Sequence, residues 1–114
     1  MDFRSAFLQN KKNLKKETVK WNEHELEIVE PTAGERAKIR KQSTKIQGDN
    51  IEIDQGELEV WAIIHCTHQD GKKVFDEADH DILLEMPASQ IDKISEPAMK
   101  YIRRNRDEED DTKN

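Results

Sequence analysis

At 114 residues and 13.4 kDa the chain has room for one small domain. Charged residues make up 39% and the set AVILMFWYC only 33%, with a mean hydropathy of −1.03, so no apolar run approaches the ~18 residues of a membrane-spanning helix. The first ten residues hold no long apolar stretch of the kind a secretory signal needs, and the single cysteine, Cys66, excludes an internal disulfide framework and suits a reducing cytosol.

Residues 2–13 read as a short helix. Asp2 can cap it, and Phe3, Phe7 and Leu8 share one face at i, i+4, i+5, followed by Lys11, Lys12, Lys15 and Lys16 toward the end where cations suit the dipole. Three apolar groups cannot hold so short a helix in water, so it must dock on something in this molecule or another. Residues 18–29 read as a hairpin: Val19 and Trp21, then Leu26 and Ile28, alternate with Lys20, Glu25 and Glu27 about a turn at Asn22-Glu23-His24. A lone hairpin is marginal, so its apolar face must lie on helices.

Pro31-Thr32-Ala33-Gly34-Glu35 is the clearest punctuation. Thr32 and Glu35 have capping-box spacing, which predicts a helix over residues 33–46 with Ala33, Ala37, Ile39 and Ile46 on its apolar face and Gly48-Asp49-Asn50 ending it. Residues 56–67 form the most apolar segment. Leu58, Trp61, Ala62, Ile63, Ile64 and Cys66 surround a helix that belongs at the centre, with Trp61 in the core. Gln69-Asp70-Gly71-Lys72 is a turn, and Val74-Phe75 an extended piece packing on the core. Asp76-Glu77-Ala78-Asp79 opens a helix with Ile82, Leu83 and Met86 as its inner stripe, stopped by Pro87. Ser89 can cap a last helix to about residue 104, carrying Ile91, Ile94, Ala98, Tyr101 and Ile102. Pro97 inside it predicts a break or kink near Ser95-Glu96. The expected fold is mainly α, of the α+β class: a small helical domain over residues 1–104 with an N-terminal β-hairpin packed on the helices. Residues 105–114, with five acids and no apolar group, are expected to be a disordered acidic tail.

The net charge is −6 (pI about 5.2), but it lies in blocks. Residues 1–20 hold six bases and two acids, residues 21–30 four acids and no base, and residues 31–48 five bases and one acid. Residues 49–60 then hold five acids and no base. Such blocks form either a solvated surface or a self-complementary pattern between copies. The acidic total and the 5% of aromatic residues argue against a nucleic-acid binder. A core this small also invites a partner or self-association to supply burial.

No catalytic, cofactor or metal site is expected. His65, Cys66 and His68 form the one cluster with ligating chemistry, but neighbours on a helix point about 100° apart, and structural zinc needs four ligands. Asp76, Asp79 and Asp81 lack the glycine and glutamate register of an EF-hand and suit a helix N-terminus instead. With four glycines there is no phosphate-cradling string and no nucleophile elbow. Trp21, on a short strand among glutamates, either packs the hairpin or anchors a partner. Phe3, Phe7, Leu8 and Trp21 are therefore the candidate partner-binding residues.

The order of these pieces resembles the tail assembly chaperones of long-tailed (siphovirus-type) bacteriophages. The matching pieces are a hairpin around Trp21, Glu30-Pro31-Thr32-Ala33-Gly34-Glu35-Arg36 at a helix start, and the apolar stretch at residues 58–64. Asp70-Gly71-Lys72-Lys73-Val74-Phe75 and Leu83-Leu84-Glu85-Met86-Pro87 follow, ahead of a final helix, so the likeness covers about residues 17–102. The lysine-rich first twenty residues and the acidic stretch at 49–59 depart from it. The resemblance implies a non-catalytic assembly factor without cofactors. It would bind the tape measure protein in the host bacterial cytoplasm, keep it soluble, help recruit tail tube subunits, and be absent from the mature virion. The rival readings are a small nucleic-acid-binding regulator using its basic segments and a structural tail-completion protein.

The resemblance also implies a longer form made by ribosomal frameshifting. Thr112-Lys113-Asn114 can be encoded ACA-AAA-AAC or ACA-AAA-AAU, which contains a heptamer on which ribosome-bound tRNAs re-pair after one backward step; other codons serve equally, and the plain reading is three residues of an acidic tail. A longer form would gain a second binding segment joined through that tail. Sequencing the tail codons checks this: a slippery heptamer with an overlapping downstream frame supports the longer product, and absence of both removes it.

Overall fold

The computed structural model describes residues 2–103. The expected acidic tail and the codons of the last three residues lie outside the described residues. The first helix, α1 (Phe3–Leu8), is capped by the Asp2 side chain, which accepts from the Ser5 amide at 2.8 Å, and it runs into a 3₁₀ turn at Gln9–Lys12. The hairpin follows as β1 (Lys16–Trp21) and β2 (His24–Val29), with Trp21 opposite His24 and Val19 opposite Leu26. Its two-residue turn places Asn22 at φ 53°, a left-handed conformation that asparagine tolerates.

The capping box forms as its spacing predicts. In α2 (Ala33–Gln42) the Thr32 hydroxyl oxygen accepts from the Glu35 amide at 3.1 Å, and Glu35 Oε1 accepts from the Thr32 amide at 3.2 Å. The helix does not reach Ile46. Ser43 Oγ and Thr44 Oγ1 each donate to a carbonyl four residues back, on Ile39 and Arg40, at 2.7 Å, and the Ser43 amide shares both carbonyls at 3.2 Å, so side chains and backbone together close the last turn. The chain then forms a second hairpin, β3 (Thr44–Gln47) and β4 (Asn50–Ile53), about Gly48-Asp49, with Ile46 opposite Ile51. Gly48 at φ +61° is the first central residue of a two-residue turn and no helix terminator. Of the expected apolar face of this segment only Ile39 is buried; Ala33, Ala37 and Ile46 are exposed.

The central helix, α3 (Gln55–Cys66), is capped by the Asp54 side chain on the Glu57 amide. It passes directly into β5 (Thr67–Gln69), which pairs with β2 and, through a tight Asp70-Gly71 turn with both residues at positive φ, with β6 (Lys72–Lys73). The sheet is antiparallel, in the order β1-β2-β5-β6. A 3₁₀ turn at Glu77–Asp79 leads into α4 (His80–Leu84), and α5 (Ala88–Ile102) closes the fold. In α4 only Leu83 is buried. Ile82 and Met86 face outward, contrary to the expected stripe, because a five-residue helix presents one turn to α3 and no more. Pro87, and not Ser89, stands at the start of α5, and the helix continues through Pro97. A proline inside a helix costs about 3 kcal/mol. Here Ser95, Pro97, Ala98, Met99 and Ile102 are all buried, and that burial offsets the cost.

Two small clusters make the core, and α3 belongs to both. Leu58, Ala62 and Cys66 meet Ile28, Ile39, Ala98, Met99 and Ile102 on one side. Val60, Ile63 and Ile64 meet Leu83 on the other, with Phe75 and Ile91 against them. The fold is thus a helical α+β arrangement with the N-terminal hairpin packed on the helices, as the sequence predicts. Trp61 is half-buried and touches both clusters, so it joins them instead of filling either. Trp61→Ala is expected to lower the unfolding free energy by about 3 kcal/mol, the low end for aromatic truncation, as read by urea titration with an unchanged m-value.

Candidate functional site

An apolar groove of about 420 Å³ lies within the range of small binding clefts. Its floor is Ile63 of α3. Trp21 and Leu26 of the first hairpin form one wall, Ile91 and Ile94 of α5 another, and Val74, Phe75, Ile82, Leu83 and Met86 the third. The three walls come from segments far apart in sequence. Each is positioned by what the same residue stretch buries elsewhere: Leu26 and Leu83 are core residues whose neighbours are left at the opening. His24, Gln69 and Gln90 supply the polar atoms of the lining, and His24 is its one titratable side chain. Such a surface can exclude water from an apolar guest. It offers little for proton transfer or nucleophilic attack.

Trp21 is fixed by a hydrogen bond in which its indole Nε1–H donates to Gln90 Oε1 at 2.9 Å. The sequence left this residue as either hairpin packing or a partner anchor, and its hydrogen bond shows it packing the hairpin against α5. The polar end ties β1 to α5, while the ring lines the groove. Phe3, Phe7 and Leu8 lie elsewhere. They stand on α1, none of whose residues is buried, with Phe3 80% exposed and stacked on Phe7 at 5.5 Å between ring centroids. Ile82, Val74 and Met86 of the groove were not among the candidate site residues. A third apolar surface was missed as well. Ile46, Ile51 and Ile53 share one face of the β3–β4 hairpin, and their period-2 spacing about Gly48-Asp49 was the available signal.

The histidines and the cysteine do separate jobs. His65 is buried, and Nε2 lies 3.1 Å from Gln42 Oε1. Burial, with Lys73 adding to it, holds its pKa below the ordinary value, so the ring is neutral and donates to Gln42. Burial in the core raises the Cys66 thiol to about 12, which removes it as a nucleophile. The His68 ring turns to the Cys66 backbone carbonyl at 3.2 Å. Among the described residues no three His, Cys, Asp or Glu side chains are grouped to hold a metal ion.

His80 stacks on Trp61 at 4.6 Å, with its ring planes 21° from parallel. Nε2 is 2.7 Å from Glu57 Oε2, and Nδ1 is 2.9 Å from Asp81 Oδ1. Two carboxylate acceptors are matched by two N–H donors, so the site favours the protonated ring over an aromatic face. Partial burial opposes the charge, but the bonds to Asp81 and Glu57 outweigh it, and the pKa is raised.

Comparison with protein-family models, curated proteins and solved structures finds no match to this chain. Among the described residues no helix is long and apolar enough to cross a membrane.

The two perturbed histidines give a pH dependence of defined sign. His80, with its folded pKa raised, contributes stability that is complete below the unfolded value of 6.5 and is lost as pH rises through the folded value. His65, with its folded pKa lowered, contributes stability present above 6.5 and lost as pH falls through its folded value. Their joint contribution therefore peaks near 6.5, the ordinary value for both. Urea titrations across that pH should show the maximum, and His80→Ala should flatten its alkaline side and leave the acid side intact.

Proposed function

We propose that this chain is a non-catalytic tail assembly chaperone of a long-tailed bacteriophage. It binds an apolar helical face of the tape measure protein in the host cytoplasm, keeps it soluble, promotes assembly of tube subunits and is absent from the finished particle. The reading rests on the sequence resemblance, and the observation that supports it is the open groove of about 420 Å³ with almost wholly apolar walls. A long helical client exposes apolar residues at i, i+3, i+4 and i+7 before its own partners arrive, and an apolar groove takes such anchors from water.

The regulator reading has less support. Its basic segment at residues 36–45 would have to lie on phosphates, yet Lys38 of α2 pairs with Glu77 at 3.3 Å, Arg40 of α2 donates to the Ile102 carbonyl at 2.7 Å and Lys45 of β3 pairs with Asp54 at 2.6 Å. These cations are engaged within the fold.

The test is co-expression with the tape measure protein of the same phage. The wild-type chain should raise the soluble yield of the client and co-purify with it. Ile82→Asp with Met86→Asp alters two exposed groove residues, so the melting temperature should hold within a few degrees while capture falls at least tenfold. Burying one such side chain is worth about 1.5–3 kcal/mol. A wild-type chain that fails to capture the client, or a double variant that captures it equally, overturns the reading. Recovery of the chain from purified virions would favour the tail-completion protein instead.

A further inference from the structure

Two of the chain's exposed apolar surfaces, α1 and the groove, differ in electrostatic character, and we propose that the N-terminal arm of one copy, residues 2–12, seats α1 in the groove of a second copy. The arm supplies a guest of the right kind. Phe3, Phe7 and Leu8 lie on one face of α1, all exposed, and the helix packs on nothing else in its own chain that would bury them. Six residues of helix are too few to be stable in water without tertiary support, so its apolar face needs a host. The groove is a host without a guest, its Ile82 being 61% and its Met86 42% exposed.

Charge favours the pairing. Residues 2–15 carry Arg4, Lys11, Lys12 and Lys15 against the single acid Asp2. The segment that forms the third wall carries Asp76, Glu77, Asp79, Asp81 and Glu85 against one base, His80 beside Asp81, and stays net acidic with Glu77 also paired to Lys38. A basic guest beside an acidic rim is guided in and held in one orientation, and a like-charged guest is not.

The host is a second copy because of where the arm is rooted. The Lys15 amide donates to Glu30 Oε1 at 3.0 Å, and the Lys15 carbonyl accepts from the Glu30 amide at 2.7 Å. This pins the arm to the open end of the hairpin, where Lys16 faces Val29. The groove lies at the opposite end, beside Trp21 and His24. Between the two runs the length of β1, about 17 Å at ~3.3 Å per residue, and α1 of this chain stays exposed, with none of its residues lining its own groove. The contact is heterologous, arm to groove, so copies close on one another reciprocally or add head to tail. The arm's seat is the surface assigned above to the client, so the two occupants would exclude one another. The seat itself does not depend on that assignment.

Two variants and their mixture test this without any client. Phe3→Asp with Phe7→Asp spoils the arm and keeps the groove; Ile82→Asp with Met86→Asp spoils the groove and keeps the arm. Sedimentation velocity should show the wild-type chain associating as its concentration rises, less so at high salt, and each variant alone remaining a monomer. The equimolar mixture should form a one-to-one heterodimer and nothing larger, because it contains one intact arm facing one intact groove. Thermal melts confirm that the variants fold, and Met86→Lys serves as the groove variant if the double one does not. A wild-type chain that stays monomeric at every concentration overturns the proposal, since its arm then lies free or in its own groove. So does either variant associating as the wild type does, or a mixture that stays monomeric.

Discussion

The packing of α3 is the constraint on which everything else depends. A chain that is one-third apolar cannot build two independent cores. It places its apolar residues almost all round one twelve-residue helix, and each neighbouring element then needs only a thin apolar stripe. Ile39 is the single buried apolar side chain of α2, and Leu83 the single one of α4. Either would be inadequate against a sparse partner; against α3 each is enough. The same economy explains the tolerance of Pro97 in α5, whose buried face lies along α3.

Polar contacts then fix the thin elements in place. Glu35 closes the capping box with one oxygen and accepts from Lys73 with the other at 2.8 Å, so the start of α2 is tied to β6. Burial disfavours this carboxylate, but the bonds from Lys73 and the Thr32 amide more than compensate, and its pKa is lowered. Arg40 carries the far half of α2 to the last carbonyls of α5. His80 links α4 to Glu57 at the start of α3, over the ring of Trp61. Each bond reaches an element that the core alone would hold weakly.

A small core also leaves apolar residues over. They gather in three places: α1, the outer face of the β3–β4 hairpin and the groove. Exposed apolar surface in patches of this kind marks contact with other molecules. For a factor that shields a client in transit, marginal burial and open apolar surface are two sides of one property. The groove would serve the client, and the arm would shield the groove between clients.

Much of the fold is legible in local signals. The capping box at Thr32 and Glu35, the alternation around Trp21, the Asp70-Gly71 turn and the apolar run of α3 each act within a few residues, so the chain states them without tertiary help. The break at Ser43 was hidden by the lysines and isoleucines that suit a helix and a hairpin alike; pairing of Ile46 with Ile51 across the Gly48-Asp49 turn decides between them. The groove was illegible for a different reason. Ile82 and Met86 have the spacing of a buried stripe, and Trp21 reads as an isolated aromatic; that all three line one surface depends on where α3, α5 and the first hairpin lie relative to one another. Cap and turn chemistry is local, so the amino-acid sequence by itself determined which segments are helix, strand and turn in most of the chain. Burial is a property of pairs of distant segments, so only the tertiary structure decided which apolar side chains fill the core and which remain open to a partner.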